Sequence, residues 1–536
     1  MTGSNSRRRR SRVLLAGAMA AGLAMGTAGI GVANAATDPP ALAFVAATQN
    51  VTATRYISGD FVYFDFDLGV NLIAGKDPFE IRASRTSYAT PIVAQQIVVK
   101  KGKKTAVPLP AGMFTGFGGF ADFTKITIKN AAGATVQDYT TLFCPNSWAS
   151  TRTRPDAPAE TPYPTWCNAW NPFTLGSVWG IQAGWNSLLG SLPADADPFG
   201  GGDFDLPAGN YAVTVALNQI YRDYFKIPVA GSTVQLNLTV VDVVDGAARA
   251  RAKLAAGPAG LANPAVRGAH AVHADDSRQG SSYLPEFRPP AKRPAVAKAA
   301  PKSGPRPDLR SLPAWGISLS PGADPQTGEL DGTWYVNFGA TVWNAGTSPL
   351  LVDGFRRTGT DLMDAYQYFF DASGKQTGSV AAGTMEWDAR DGHRHWHFTD
   401  FAQYNLLSGD KKLTVRSGKE AFCLANTDAV DYTLPGAKWR PQNTDLSTSC
   451  GGNTAVAVRE VLDAGNGDTY TQDRPGQSFE ITDLPNGTYY IEVLANPAQK
   501  LTEVSTTNNS SLRQIILGGT PAERTLTVPP VYGIIG

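Results

Sequence analysis

Apolar and polar residues take turns along this chain with a period of two. Phe61-Val62-Tyr63-Phe64-Asp65-Phe66 shows the pattern, and Val234-Gln235-Leu236-Asn237-Leu238-Thr239-Val240 shows it strictly. Side chains of a strand point to alternate faces, so such runs specify strands with one buried side. Turn residues break the runs repeatedly, and no helix-length periodic segment stands out. The expected fold class is therefore all-β, with two β-sandwich-like regions joined by a linker. Gly 55 and Pro 37 without a collagen-like period agree with many turns and some linker.

The N-terminus has the composition of an export signal. Arg7 to Arg10 and Arg12 form a basic start, an apolar Ala/Gly/Leu-rich stretch runs from Val13 to about Val32, and Ala33-Asn34-Ala35 supplies a small-residue cleavage pattern. Residues 1–35 are expected to be a signal peptide and the protein to be secreted, with no membrane span in the mature chain. Cleavage leaves 42 basic against 46 acidic residues, a net charge of −4, which gives no general case for a nucleic-acid partner. Residues 246–306 are Ala/Pro-rich and hold eleven Lys/Arg against three acids, a linker composition. That division gives an N-terminal β-sandwich domain of unassigned role at 36–245 and a second strand-rich domain at 307–536. Lys298 lies in the Ala-rich stretch Ala295-Val296-Ala297-Lys298-Ala299-Ala300 of the linker. The four cysteines fall two per half, and in an oxidising compartment they are expected to pair as Cys144–Cys167 and Cys423–Cys450.

Only five histidines occur, and three lie within five residues: His393, His395 and His397. The other two, His270 and His273, fall in the linker and read as solvated. On a strand, positions i, i+2 and i+4 share a face, whereas on a helix the middle side chain would point away. A flat strand spaces its same-face neighbours roughly 7 Å apart, so the segment must bend or twist to close on one ion. Gly392 at its start makes that easier. Imidazole suits copper, zinc, iron or nickel, and copper binds tightest by intrinsic order. Two further patterns say little singly. Asp468-Thr469-Tyr470, if extended, turns a carboxylate and a phenol to one side, and Lys419 stands shortly before Cys423.

Taken together, these blocks resemble the lysyl oxidase family. Glu386-Trp387, then His393-Arg394-His395-Trp396-His397, then Phe401-Ala402-Gln403-Tyr404-Asn405-Leu406-Leu407 is similar to its copper-binding stretch. Gly418-Lys419-Glu420-Ala421-Phe422-Cys423-Leu424 resembles the segment with the cofactor lysine. Asp468-Thr469-Tyr470 resembles the segment with the partner tyrosine, and Thr506-Thr507-Asn508-Asn509 the closing Asn-Asn motif. The blocks keep the family's order over most of 308–515, and the first 245 residues share no such resemblance.

The resemblance implies a copper amine oxidase with a self-made quinone. His393, His395 and His397 would hold copper. Tyr470 would be oxidised and joined to Lys419 as lysine tyrosylquinone, and Asp468 would be the base that takes the substrate's α-proton. Substrates would be primary amines, peptidyl lysine among them, with molecular oxygen as oxidant and aldehyde, ammonia and hydrogen peroxide as products. Two departures stand out. Only Cys423 and Cys450 occur where animal members carry several more cysteines, and the segment between Cys423 and Asp468 has little visible similarity. Trp396 replaces a tyrosine, but alternation should turn it away from the metal. Two other readings need fewer of these residues: an extracellular copper-binding β-sandwich without catalysis, for which Lys419 and Tyr470 are dispensable, and an adhesin or matrix-binding protein dominated by its first domain.

Overall fold

The computed structural model describes residues 42–244 and most of 293–534. Residues 1–41, 59–60, 101–102, 111–112, 115, 168, 194–203, 245–292, 295–298, 324–328, 390–393, 418, 420, 442–449, 473, 475 and 535–536 fall outside it. The expected signal peptide, most of the linker with His270, His273 and Lys298, and also Gly392 and His393 lie outside the described residues. Among the described residues thirty strands stand against one seven-residue α-helix, Gln219–Phe225, and one short 3-10 turn. The all-β expectation holds.

The first region is built on three sheets. The largest runs in the order Phe61–Asp65, Asn50–Ser58, Thr233–Val244, Gly209–Leu217, Phe120–Asn130, Thr135–Phe143. All its pairings are antiparallel except Asn50–Ser58 with Thr233–Val244. The alternation at Val234–Val240 is realised as expected: Leu236, Leu238 and Val240 are buried, while Gln235, Asn237 and Thr239 are exposed. The inward faces close on an aromatic-rich core containing Phe120, Phe123, Phe143 and Trp179. The disulfide Cys144–Cys167 is formed, and Cys167 packs into that core.

The second region also has three sheets. One joins Leu309–Ser311, Leu330–Asn344, Asn466–Tyr470 and Asp428–Ala429. Another runs Ala421–Phe422, His395–Thr399, Gln376–Asp388, Leu362–Phe370, Leu350–Arg356, Ala457–Leu462. The third runs Leu413–Arg416, Ala402–Ser408, Gly487–Ala495, Ser510–Thr520, Glu523–Thr527. A single apolar cluster draws on all three, with Phe338, Trp396, Tyr404, Phe422, Tyr470 and Ile491 among its members. The expected Cys423–Cys450 disulfide is formed, and no cysteine is free.

Asp205-Leu206-Pro207-Ala208-Gly209-Asn210-Tyr211 in the first half echoes Asp483-Leu484-Pro485-Asn486-Gly487-Thr488-Tyr489 in the second, and the two turns fold alike. Before Gly209–Leu217 the Tyr211 hydroxyl donates to the Pro207 carbonyl at 2.7 Å, and before Gly487–Ala495 the Tyr489 hydroxyl donates to Pro485 at 2.8 Å. Each strand then lies inside its sheet with the following strand as a neighbour.

Residues of the first region also touch the second. Phe173, wholly buried, packs among Leu312, Trp315, Trp343 and Val430. Leu175 N–H donates to the Val430 carbonyl at 2.8 Å, and Tyr432 N–H to the Gly176 carbonyl at 2.9 Å. Trp439 stacks on Tyr163 and lies beneath the Arg82 guanidinium.

Candidate active site

Strand His395–Thr399 is an interior strand whose first four residues are buried. Alternation puts His395 and His397 on one side and Trp396 on the other, where its indole N–H donates to the Gly452 carbonyl at 3.1 Å. The two imidazoles converge, with Nε2 atoms 2.8 Å apart and ring centroids 4.6 Å apart. Same-face positions of a strand lie roughly 7 Å apart along the backbone, so the two side chains lean toward each other to meet. Arg394, just before the strand, has a φ of 44° in the left-handed region, a conformation that costs a non-glycine residue about 1–2 kcal/mol. Asp388 is paired across the strands with His395, and its Oδ2 lies 3.4 Å from His397 Nδ1. A carboxylate at Nδ1 favours the tautomer with the proton on Nδ1 and the lone pair on Nε2.

These residues fit a metal. Two nitrogens 2.8 Å apart subtend about 90° at a first-row ion roughly 2.0 Å from each. Both imidazoles are buried, and Asp388 supplies the outer-shell partner. Among the described residues no three His, Cys, Asp or Glu side chains form a metal-binding group, and His393 lies outside them.

Asp468 and Tyr470 lie on strand Asn466–Tyr470, buried throughout. They share a face, as extended geometry requires. Lys419 is also buried, with Nζ 4.3 Å from the centre of the Tyr470 ring and 5.0 Å from that of Phe422. Phe422 meets Tyr470 edge-on at 5.2 Å, and the Tyr470 hydroxyl donates to the Cys423 carbonyl at 3.2 Å. The loop before Ser478–Glu480 closes over the lysine. The Ser417 hydroxyl accepts from Lys419 N–H at 3.2 Å and donates to the Gly476 carbonyl at 2.6 Å. A Cβ on Gly476, at φ +83°, would stand 2.7 Å from Lys419 Cβ, so the position requires glycine.

Neither Asp468 oxygen has a hydrogen-bond partner, although the residue is only 2% exposed. Burial raises its carboxyl well above the usual carboxylate range, and the Lys419 charge opposes this. Burial likewise raises Glu460, whose Oε2 accepts from Leu424 N–H at 2.9 Å while Oε1 has no partner. Burial, then the Asp468, Tyr404 and Glu460 charges, push the Tyr470 phenol up. The lysine–tyrosine contact therefore sits in a buried site with two carboxylic acids that hold protons unusually well.

Asp388 and Glu460 did not stand out in the sequence. Asp388 follows the Glu386-Trp387 block directly, but only the register between two strands brings it to the imidazoles. Glu460 follows Arg459, whose guanidinium clasps Asp353. As sequence, Arg459-Glu460 reads like any solvated charge pair.

Fold and cluster together define an all-β protein with a convergent imidazole pair and a buried lysine–tyrosine–aspartate group. Residues 365–525 match the lysyl oxidase family model and form a lysyl oxidase family domain within the C-terminal region. The chain is 33% identical to human protein-lysine 6-oxidase over 125 residues, which is 23% of this chain and 26% of that protein. It is 30% identical to lysyl oxidase homolog 4 of Mus musculus over 131 residues and 29% identical to lysyl oxidase homolog 2 of Xenopus tropicalis over 128. Each of those matches covers 24% of this chain and 15% of the relative. Among the described residues no helix is long and apolar enough to cross a membrane.

Proposed function

We propose that this chain is a secreted copper amine oxidase. It would convert a primary amine, oxygen and water to an aldehyde, ammonia and hydrogen peroxide. Residues 307–536 are the catalytic domain, 36–245 an N-terminal β-domain and 246–306 the linker. His395 and His397, with His393, are the copper ligands, and Lys419 and Tyr470 are the residues of the lysine tyrosylquinone. Copper and quinone together would supply the two-electron acceptor and its reoxidation by oxygen. The chain's own side chains do the rest. Asp468 takes the proton from the carbon next to the amine nitrogen, a step that a partnerless carboxylate of raised pKa suits. Glu460 holds a proton beside it. Phe422 and Tyr404 keep water from the lysine–tyrosine contact. Asp388 orients His397. The acidic surface outside the linker favours cationic substrates, peptidyl lysine among them.

One observation carries this reading: Lys419 Nζ stands 4.3 Å from the Tyr470 ring centre, beside a buried carboxylate that nothing else uses. The test is a mass-spectrometric peptide map of secreted, copper-loaded protein treated with phenylhydrazine. The expected result is one peptide joining Lys419 to Tyr470 and carrying the adduct. Stoichiometric copper with both residues unmodified would overturn the assignment and favour a copper-binding β-sandwich without catalysis.

A further inference from the structure

Strand Asn466–Tyr470 has a second face. Alternation turns Thr469 away from Asp468 and Tyr470. Its hydroxyl donates to Asp428 Oδ2 at 3.0 Å and lies 2.7 Å from the Thr341 hydroxyl. Its N–H donates to the Thr427 hydroxyl at 2.8 Å. Asp428 is itself buried, and a buried carboxylate must have its acceptor sites filled. Three of the donors come from the first region. Asn171 Nδ2 and Asn171 N–H reach Oδ2 at 2.9 and 3.0 Å, and Trp170 N–H reaches Oδ1 at 2.9 Å. Burial pushes the Asp428 carboxyl up to about 6, and the Asn171 amide leads the bonds that pull it back. Docking the two regions does not need this amide, since Phe173, Leu175, Gly176 and Trp439 make the surrounding contacts.

We infer that Asn171 is a positioning residue for the reaction proposed above: it holds Asp428, Asp428 holds Thr469, and Thr469 sets the stance of Asp468 and Tyr470 on either side of it. The N-terminal region then acts as a brace behind the catalytic strand. The inference rests on the amine-oxidase reading only for its kinetic consequence. The mechanical part concerns the strand alone. A catalytic carboxylate displaced by a fraction of an ångström is enough to slow turnover without touching substrate binding.

The experiment uses the full secreted, copper-loaded chain as wild type, Asn171→Ala, Thr469→Val and the double variant. Thr469→Val covers the case in which Asn171→Ala does not fold. The first readout is amide hydrogen exchange of peptides spanning 466–470, which needs no turnover. Each single variant should speed that exchange about tenfold, leave Thr233–Val244 unchanged, and fall well short of multiplying in the double variant, because both changes cut the chain of bonds through Asp428, beside which Asn171 Nδ2 reaches only the Ala429 carbonyl, at 3.2 Å. The second readout is peroxide release from n-butylamine. Here kcat, taken per active site titrated with phenylhydrazine so that a smaller folded fraction is not counted as slower turnover, should fall about tenfold with KM within about twofold. Unchanged exchange at 466–470 in Asn171→Ala, or losses that multiply in the double variant, would overturn the inference. A wild type that releases no peroxide sinks the amine-oxidase reading instead, and the exchange data still decide whether Asn171 braces the strand.

Discussion

Asp468 is a residue whose cost is visible in the fold. A buried carboxylate with no donor loses its hydration for nothing structural in return. Lys419 opposes the resulting rise in pKa, whereas Glu460 on a neighbouring strand and the Tyr470 phenol share the same pocket. Because its folded pKa lies above its unfolded value of about 3.9, the folded state binds the proton more tightly. Its stabilising share is complete below that unfolded value and is lost as pH rises through the folded one. In the base's role proposed for it Asp468 must be ionised, so activity should climb over the range in which stability falls. Asp468→Asn should lower kcat by about 10²–10⁴ and flatten the fall of the thermal midpoint as pH rises above about 4. Scans of both proteins across that range, beside peroxide release from a primary amine, check both halves. A variant that keeps full turnover removes Asp468 from the base's role.

At the scale of elements, the imidazole pair depends on two strands rather than one. The strand His395–Thr399 supplies the rings, and the adjoining strand supplies Asp388 at the matching register position. Asp388→Asn keeps the shape but weakens the grip on Nδ1, and copper affinity should fall about 10–100-fold, measured by competition with a chelator. Unchanged affinity would show that His397 needs no such partner. The alternating pattern made the strands legible, and it placed Trp396 opposite the histidines and Asp468 on the side of Tyr470. The echoed Asp-Leu-Pro turns were legible too, and each closes with a tyrosine hydroxyl on a proline carbonyl four residues back. Register across strands was not legible. A sequence states which residues share a face, but the neighbour opposite depends on loop lengths and core packing. That is why Asp388 and Glu460 were missed.

At the scale of the whole molecule, composition drew a boundary that the packing crosses. Basic residues from 246 to 306 separate two strand-rich stretches, yet Phe173 of the first is wholly buried among Leu312, Trp343 and Val430 of the second. A contact between segments so far apart in sequence leaves no local signature, because neither side shows its partner. It does have a thermodynamic one. Removing a fully buried phenylalanine side chain costs about 3–5 kcal/mol, and here the loss falls on the junction, since Phe173 packs outside the first region's own core. If the junction couples the two regions, calorimetry of the wild type should show one transition. Phe173→Ala should then split it into two, the lower belonging to whichever region leaned more on its neighbour. Phe123→Ala, in the core of the first region alone, should lower the midpoint without splitting it. Two transitions already present in the wild type would mean that the regions fold independently, and that the contacts behind the catalytic strand are too weak to brace it.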